Sequence, residues 1–381
     1  MILSDEQVAV RDMVRAFAAE RLRPNVRAFE EAGAYPQDLY VDMAALGLMG
    51  MTAPVEIGGA GIDTVSYALA LMEIAGGDGA LSTIVSIHNS LIVSALLRFG
   101  SESQQARFLP GLIGGRSTGA FALTEADAGS DAAALRCRAT AVPGGWRLNG
   151  GKQFISNGRI ASVAIVFAVT DPVAGKRGMS ALLVPTDSAG YAIDKVEHKL
   201  GQSASDTCAI RFDDVFVPDD LVLGTPGEGY RIALSNLEAG RIGIAAQCVG
   251  MAQAALDIAI AYARDRKSFG QPIIEHQAVG HRLADLAARL EAARQLVLHA
   301  AATRDVVKLT GGSSLIEASM AKLVASETAE AVVSGAIQTL GGYGYLEDYG
   351  VAKIYRDVRV CQIYEGTSDV QRMVIARWLA A

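Results

Sequence analysis

At 381 residues the chain is long enough for two or three domains, and its 51% hydrophobic and 20% charged residues describe ordered globular cores, which excludes a disordered polymer. A formal net charge of -7 with no block of clustered Lys and Arg argues against a nucleic-acid partner, because phosphate binding is driven by clustered cations. The four cysteines (Cys137, Cys208, Cys248, Cys361) form no C-x-x-C pair, and His276 and His281 stand five apart, off a common helix face, so neither a disulfide framework nor a metal is expected.

From Ser4 to about Gly115 apolar residues recur at helical spacing with Glu and Arg on the polar faces, and breaks are expected near Pro24, at 33–36, at 58–61 and near Gly100. Ser4 and Gln7 read as a capping box, and no charged leader precedes an apolar run, which implies a cytoplasmic protein. The glycines of 57–61 lack the Lys and Ser/Thr of a phosphate loop and predict a turn. At about Ser117 the pattern changes to short runs at 119–123, 137–142, 146–148, 162–169, 181–184 and 209–212. Turn formers such as Pro143-Gly144-Gly145 bound these runs, predicting a compact β domain with hairpins. Beyond Pro226 the helical period returns. Its longest apolar stretch, 242–261, is interrupted by Gln247, Gln253 and Asp257 and predicts a core helix, with no membrane insertion. The expected fold class is α+β: an N-terminal helical domain (1–116), a central β-barrel-like or sandwich domain (117–225) and a C-terminal four-helix bundle (226–381). Ligands favour crevices between such units.

Five segments near these seams carry chemistry. Phe121-Ala122-Leu123-Thr124-Glu125-Ala126-Asp127-Ala128-Gly129-Ser130-Asp131 is a strand entering a polar loop of small residues, whose amides and hydroxyls can bond a planar heterocycle or a phosphate; a plain Asp/Gly turn is the alternative. The stretch 146–158 reads locally as a hairpin. Residues 264–273 end a long helix with cations and a Gly/Pro stop, which is ordinary dipole chemistry or a ligand contact. In 338–345 the glycines allow close approach to a pyrophosphate, or simply cap a helix. In 362–372, Glu365 stands between Ile363, Tyr364 and Gly366. It is either a solvated charge or a desolvated carboxylate of raised pKa that serves as a base, and Thr367 can cap the closing helix.

Together, in order and spacing, these five segments resemble the acyl-CoA dehydrogenase family across nearly the whole chain, most closely its short-chain and short-branched-chain members. The resemblance implies FAD between the β domain and the C-terminal helices. Phe121, Leu123 and Thr124 would line the isoalloxazine, and Ser130 would meet cofactor or substrate. Phe154, Ile155 and Ser156 would cover the flavin's other side, and Thr367 and Asp369 would add contacts. Arg266, Ser268, Phe269 and Gln277, with Gln338, Gly341 and Gly342, match segments that reach the FAD of a neighbouring subunit, which implies a homotetramer.

The resemblance also implies the reaction. Glu365 would remove the α-proton of an acyl-CoA and the β-hydrogen would leave as hydride to flavin N5, giving a trans-2-enoyl-CoA. The Glu365 N–H and a ribityl hydroxyl would bond the thioester oxygen, and electrons would pass to electron-transfer flavoprotein. Fatty acid or branched-chain amino acid catabolism would be the setting. Some members carry the base at the position matching Gly240, where glycine cannot serve. Glu238 and Arg241, three apart on one helix face, are expected near the substrate or as a surface ion pair. Tyr364, Gly366 and Ile87 are expected to line the acyl site, with Ile87 favouring a short chain. Ser203 stands where many relatives carry arginine, and Asp369 where Gln or Glu is common. The compact length favours a dehydrogenase over an acyl-CoA oxidase, and Glu365 argues against a non-catalytic flavoprotein.

Overall fold

The structure, a computed structural model, describes residues 1–380. The first helix, Asp5–Phe17, starts on the expected capping box: Ser4 Oγ accepts from the Gln7 N–H, and Gln7 Oε1 accepts from the Ser4 N–H. Further helices run to Ile113, broken at Arg23–Asn25, at Gly33 and at Gly100. Two π-helical turns, Ala18–Leu22 and His88–Val93, have no counterpart in the sequence pattern, since one inserted residue in a turn leaves apolar spacing almost unchanged.

Residues 118–223 form one eight-stranded sheet. Its hydrogen-bonded order is Tyr191–Val196, Thr207–Pro218, Gly145–Ser156, Arg138–Val142, Ala161–Val169, Met179–Pro185 and Val222–Leu223, and Thr118–Ala122 runs parallel to Ala161–Val169. The Pro143-Gly144-Gly145 turn pairs Val142 with Gly145 in the expected hairpin. The stretch 146–158, however, is no hairpin. Its residues 146–156 belong to the single strand Gly145–Ser156, whose register slips between Leu148 and Gly150 and again between Lys152 and Ile155, with Gly150 at φ +136° and Phe154 at φ +59°, and 157–158 begin the turn that follows. Such bulges re-aim side chains locally while the pairing continues. Strand Tyr191–Val196 carries no apolar run because it lies at the sheet edge with no fully buried residue, so alternation gave no sign of it.

The C-terminal part consists of the long helices Gly229–Asp265, Gln277–Thr310 and Leu315–Leu340, and then Ser368–Leu379 packed on the third of them. Burial divides the molecule into two cores. In one, N-terminal residues such as Phe17, Leu39, Met43 and Leu71 pack with Val249, Leu290, Val297 and Val332 of the C-terminal helices. The other fills the sheet and takes in Ile87, Leu91 and Ile92 from the helical stretch that crosses to it. Gly79–Phe99 and Gly229–Asp265 are long and apolar enough to cross a membrane, but 89% and 67% of their most apolar windows are buried within the fold.

Candidate active site

A cavity of about 610 Å³ opens where the two cores meet. Glu365 reaches it from a tight turn between the 3-10 segment Arg359–Gln362 and the helix Ser368–Leu379, which Thr367 caps by accepting from the Val370 N–H. Both Glu365 (φ +53°) and Gly366 (φ +86°) are left-handed, a conformation that a glutamate adopts only when its surroundings enforce it. Several groups do so. Gln371 Nε2 donates to the carbonyls of Glu365 (3.2 Å) and Gly366 (2.9 Å), and Lys322 Nζ donates to Gly366 O at 2.8 Å. Tyr364 OH donates to Gln247 Oε1 at 2.8 Å and lies within reach of Thr83 Oγ1 and Gln202 Nε2.

The residue as a whole is half-buried because it faces the cavity, yet its Oε2 is enclosed and has no hydrogen-bond partner. Burial pushes the carboxyl up to about 7, against the opposing pull of Arg241 and Lys322. Gly240, on the helix Gly229–Asp265, faces it so closely that a Cβ there would stand 2.6 Å from Oε2. The two positions therefore share one volume, and glycine at one leaves room for the carboxylate of the other.

The opposite wall comes from the sheet. Phe121, Leu123, Thr124, Ser130, Phe154, Ile155 and Ser156 all line the cavity, as do Ile87, Tyr364, Gly366 and Thr367. Phe121 packs on Phe167 with ring centroids 4.8 Å apart, which fixes the end of strand Thr118–Ala122. The loop after it is held from beneath by a buried ion pair. Lys152 Nζ donates to Glu125 Oε1 (2.7 Å) and to Leu123 O (3.0 Å), while Glu125 also accepts from the N–H groups of Arg136 and Cys137. Uncharged hydroxyls of Thr124, Ser130 and Ser156, set among aromatic and aliphatic faces and opposite an unpartnered carboxylate, suit a flavin ring.

Other expected site residues lie elsewhere. Glu238 is turned away from the cavity. It accepts from Arg304 Nη1 and from the N–H and Oγ of Ser314, each at 2.8 Å, immediately before the helix Leu315–Leu340. Arg241 is buried behind Glu365, donates to Ser319 Oγ at 3.2 Å and is absent from the cavity wall. Asp369 is exposed and paired with Arg372. Arg266, Ser268, Phe269, Gln277, Gln338, Gly341 and Gly342 lie off this cavity in a second neighbourhood. There the Arg266 guanidinium lies 6.0 Å from the Tyr343 ring centroid, and Phe269, at φ +52°, is 95% exposed.

Sequence reasoning did not single out Thr83 and Gln202 as cavity residues. Gln202 carried a weak signal, since it adjoins the Ser203 departure. Its N–H donates to Asp357 and its Oε1 accepts from Thr83 at 2.7 Å. Lys322 gave no signal, because a lysine on an Ala-rich helix reads as a solvated residue.

Comparison with known proteins agrees with this geometry. Residues 4–116, 120–215 and 227–380 match the N-terminal, middle and C-terminal domains of acyl-CoA dehydrogenase. The chain is 43% identical over 362 residues to the human mitochondrial short-chain specific acyl-CoA dehydrogenase, covering 95% of this chain and 87% of that one. Butyryl-CoA dehydrogenase from Megasphaera elsdenii superposes with a TM-score of 0.96 at 38% identity, covering 100% of both chains. A Mycobacterium smegmatis glutaryl-CoA dehydrogenase in complex with FADH2 gives a TM-score of 0.93 at 33% identity, covering 99% of this chain and 95% of that chain. With three domains matched in order and full-length relatives of this similarity, the chain belongs to the acyl-CoA dehydrogenase family, FAD-dependent oxidoreductases that act on acyl-CoA thioesters.

Proposed function

We propose that Glu365 is the base that removes the α-proton of a short or short-branched acyl-CoA, yielding a trans-2-enoyl-CoA. The observation that carries this reading is the enclosed, unpartnered Oε2 of Glu365 facing a cavity whose other wall is flavin-type. FAD held against Phe121, Leu123, Thr124 and Ser156 would supply the hydride acceptor for the β-hydrogen, with electron-transfer flavoprotein as the proposed destination of the electrons. The protein's share is orientation, exclusion of water and proton transfer. Enclosure keeps the carboxylate free of competing hydrogen bonds, and a carboxyl group titrating near neutrality is well matched to abstraction and release of a proton. The Glu365 N–H is the assigned donor to the thioester oxygen, where charge develops as the α-proton leaves.

Phe121, Leu123 and Thr124 would face one side of the flavin, with Phe154, Ile155 and Ser156 opposite and Ser130 at the junction with substrate. Ile87, Leu91, Leu237 and Ile244 give the acyl end of the cavity an apolar lining that supports a short chain, as do the short-chain relatives. One methylene is worth about 1 to 3 kcal/mol in such a pocket, so preference falls off gradually with length. The exposed Phe269 and the open Gly341-Gly342 turn support the reading that this second neighbourhood completes the FAD site of another subunit in a homotetramer.

Anaerobic addition of acyl-CoAs of graded length and branching to the yellow holoenzyme tests both substrate and base. Butyryl-CoA or isobutyryl-CoA should bleach the flavin fastest. Glu365→Gln should keep FAD and lose bleaching by about 10³-fold or more, since it preserves shape and removes the proton acceptor. Near-normal reduction of that variant would refute the base assignment. Rapid stoichiometric peroxide release during aerobic turnover would refute the electron acceptor.

A further inference from the structure

The helix Leu315–Leu340 buries a lysine that the mechanism above does not use. Lys322 is 0% exposed, and among the described residues its ammonium has one hydrogen bond, to the Gly366 carbonyl at 2.8 Å. A cation enclosed this way is costly, and an apolar side chain of similar length would pack there without that cost. One turn earlier on the same helix, Ser319 accepts from Arg241, the other cation near the Glu365 carboxylate, while Lys322 bonds the Glu365 turn itself. The peptide that Lys322 holds is Gly366–Thr367, which closes the left-handed pair of residues that aims the carboxylate into the cavity.

We infer that Lys322 is a positioning residue for the reaction: its buried ammonium fixes the Gly366 carbonyl, and hence the Glu365 turn, and supplies positive charge beside a carboxylate that must exist without water. The inference rests on the reading of Glu365 as the base. The titratable and charged groups around that carboxylate are few. Arg241 faces it from the helix Gly229–Asp265, Lys322 from Leu315–Leu340, and Tyr67 from Thr64–Gly77; the thiols of Cys248 and Cys361 lie next to Lys322. Gln371, on the closing helix, contributes a neutral amide. Lys322 and Arg241 both favour the ionised Glu365, so removing either cation should make the carboxyl harder to ionise.

Two substitutions separate charge from hydrogen bond. Lys322→Met removes both, while Lys322→Gln can keep a donor to Gly366 and loses only the charge. In the holoenzyme with butyryl-CoA, both should move the acid limb of the kcat/KM profile upward by about one pH unit. Lys322→Met should in addition lower the plateau by about tenfold with KM little changed, because the turn is released, and Lys322→Gln should hold a plateau near that of the parent. Lys322→Arg keeps the charge and should leave the limb in place. Infrared difference titration of the carboxylic acid band that Glu365→Gln lacks reads the same shift without turnover.

Limbs and infrared midpoints within about 0.2 pH unit of the parent in folded, flavin-loaded Met and Gln variants would overturn the inference, given that one pKa unit is about 1.4 kcal/mol. So would failure of all three variants to fold, which would make the lysine purely structural. If Glu365→Gln itself turns over normally, it is the base assignment that fails, and the two failures are thereby told apart.

Discussion

At Glu365 three local conditions meet that are rarely found together: a left-handed backbone, an oxygen without a hydrogen-bond partner, and two cations that are near but directed elsewhere. Their balance predicts the direction of the pH response. Burial raises the carboxyl to about 7, the ionised form is the one that the proposed role as base requires, and activity should therefore rise with pH through that value. We expect kcat/KM to be half-maximal near pH 7 on its acid side and to fall about tenfold per unit below it, measured with a substrate that does not itself titrate. A limb near 4.5 would mean that the carboxylate is solvated. In the sequence, its neighbours Ile363, Tyr364 and Gly366 left Glu365 open between a solvated charge and a desolvated base, and the resemblance of the five segments to the acyl-CoA dehydrogenase family is what singled it out. Lys322 was not legible, because nothing in Ala318-Ser319-Met320-Ala321-Lys322 distinguishes a lysine beneath a neighbouring turn from one in solvent; only the fold brings Gly366 over it.

At the scale of elements, helix ends organise the site more than helix faces do. Glu238 and Arg241 lie one turn apart, and helical spacing alone places both near substrate. The loop that leads into another helix decides otherwise: Glu238 accepts from the N–H and Oγ of Ser314, immediately before Leu315–Leu340, while pairing with Arg304. Glu238→Ala should therefore lower stability by about 1 to 3 kcal/mol, through the lost hydrogen bonds to Ser314 and the stranded guanidinium, and leave kcat/KM within about twofold. Urea unfolding and steady-state kinetics on the same preparation check it, and a loss of kcat/KM without loss of stability would return Glu238 to the substrate site. The almost continuously buried strand at 162–169 and the alternating one at 209–212 were readable from their own apolar residues. Edge strand Tyr191–Val196 and the bulged strand Gly145–Ser156 were not, since their pairing partners, rather than their own apolar residues, define them.

Across the whole molecule, the three regions are pinned by one buried polar cluster. Lys353 Nζ donates to Asp78 (3.0 Å) and Asp357 (2.5 Å). Asp78 also accepts from Tyr35 OH (2.6 Å), and Asp357 accepts from the Gln202 N–H. These residues come from the N-terminal helices, the loop after the sheet's edge strand, and the C-terminal helices. Lys353→Ala leaves two buried carboxylates uncompensated and should cost about 3 to 5 kcal/mol, seen as one cooperative loss of helical and flavin signals in holoenzyme unfolding. Separate transitions for the two signals would show that the cluster does not join the regions. The helical, β, helical order was plain from composition and turn residues. That it packs as two cores was not, because long-range pairing of the first and last thirds leaves no periodic trace. This pairing has a consequence for biosynthesis. The sheet core is complete once about residue 233 has emerged, whereas the N-terminal helices up to about residue 85 must wait for partners beyond 240. At roughly 5 to 20 residues per second, the nascent N-terminal helices remain without their partner surface for some ten seconds or more. During that interval they are the part of the chain most in need of a chaperone.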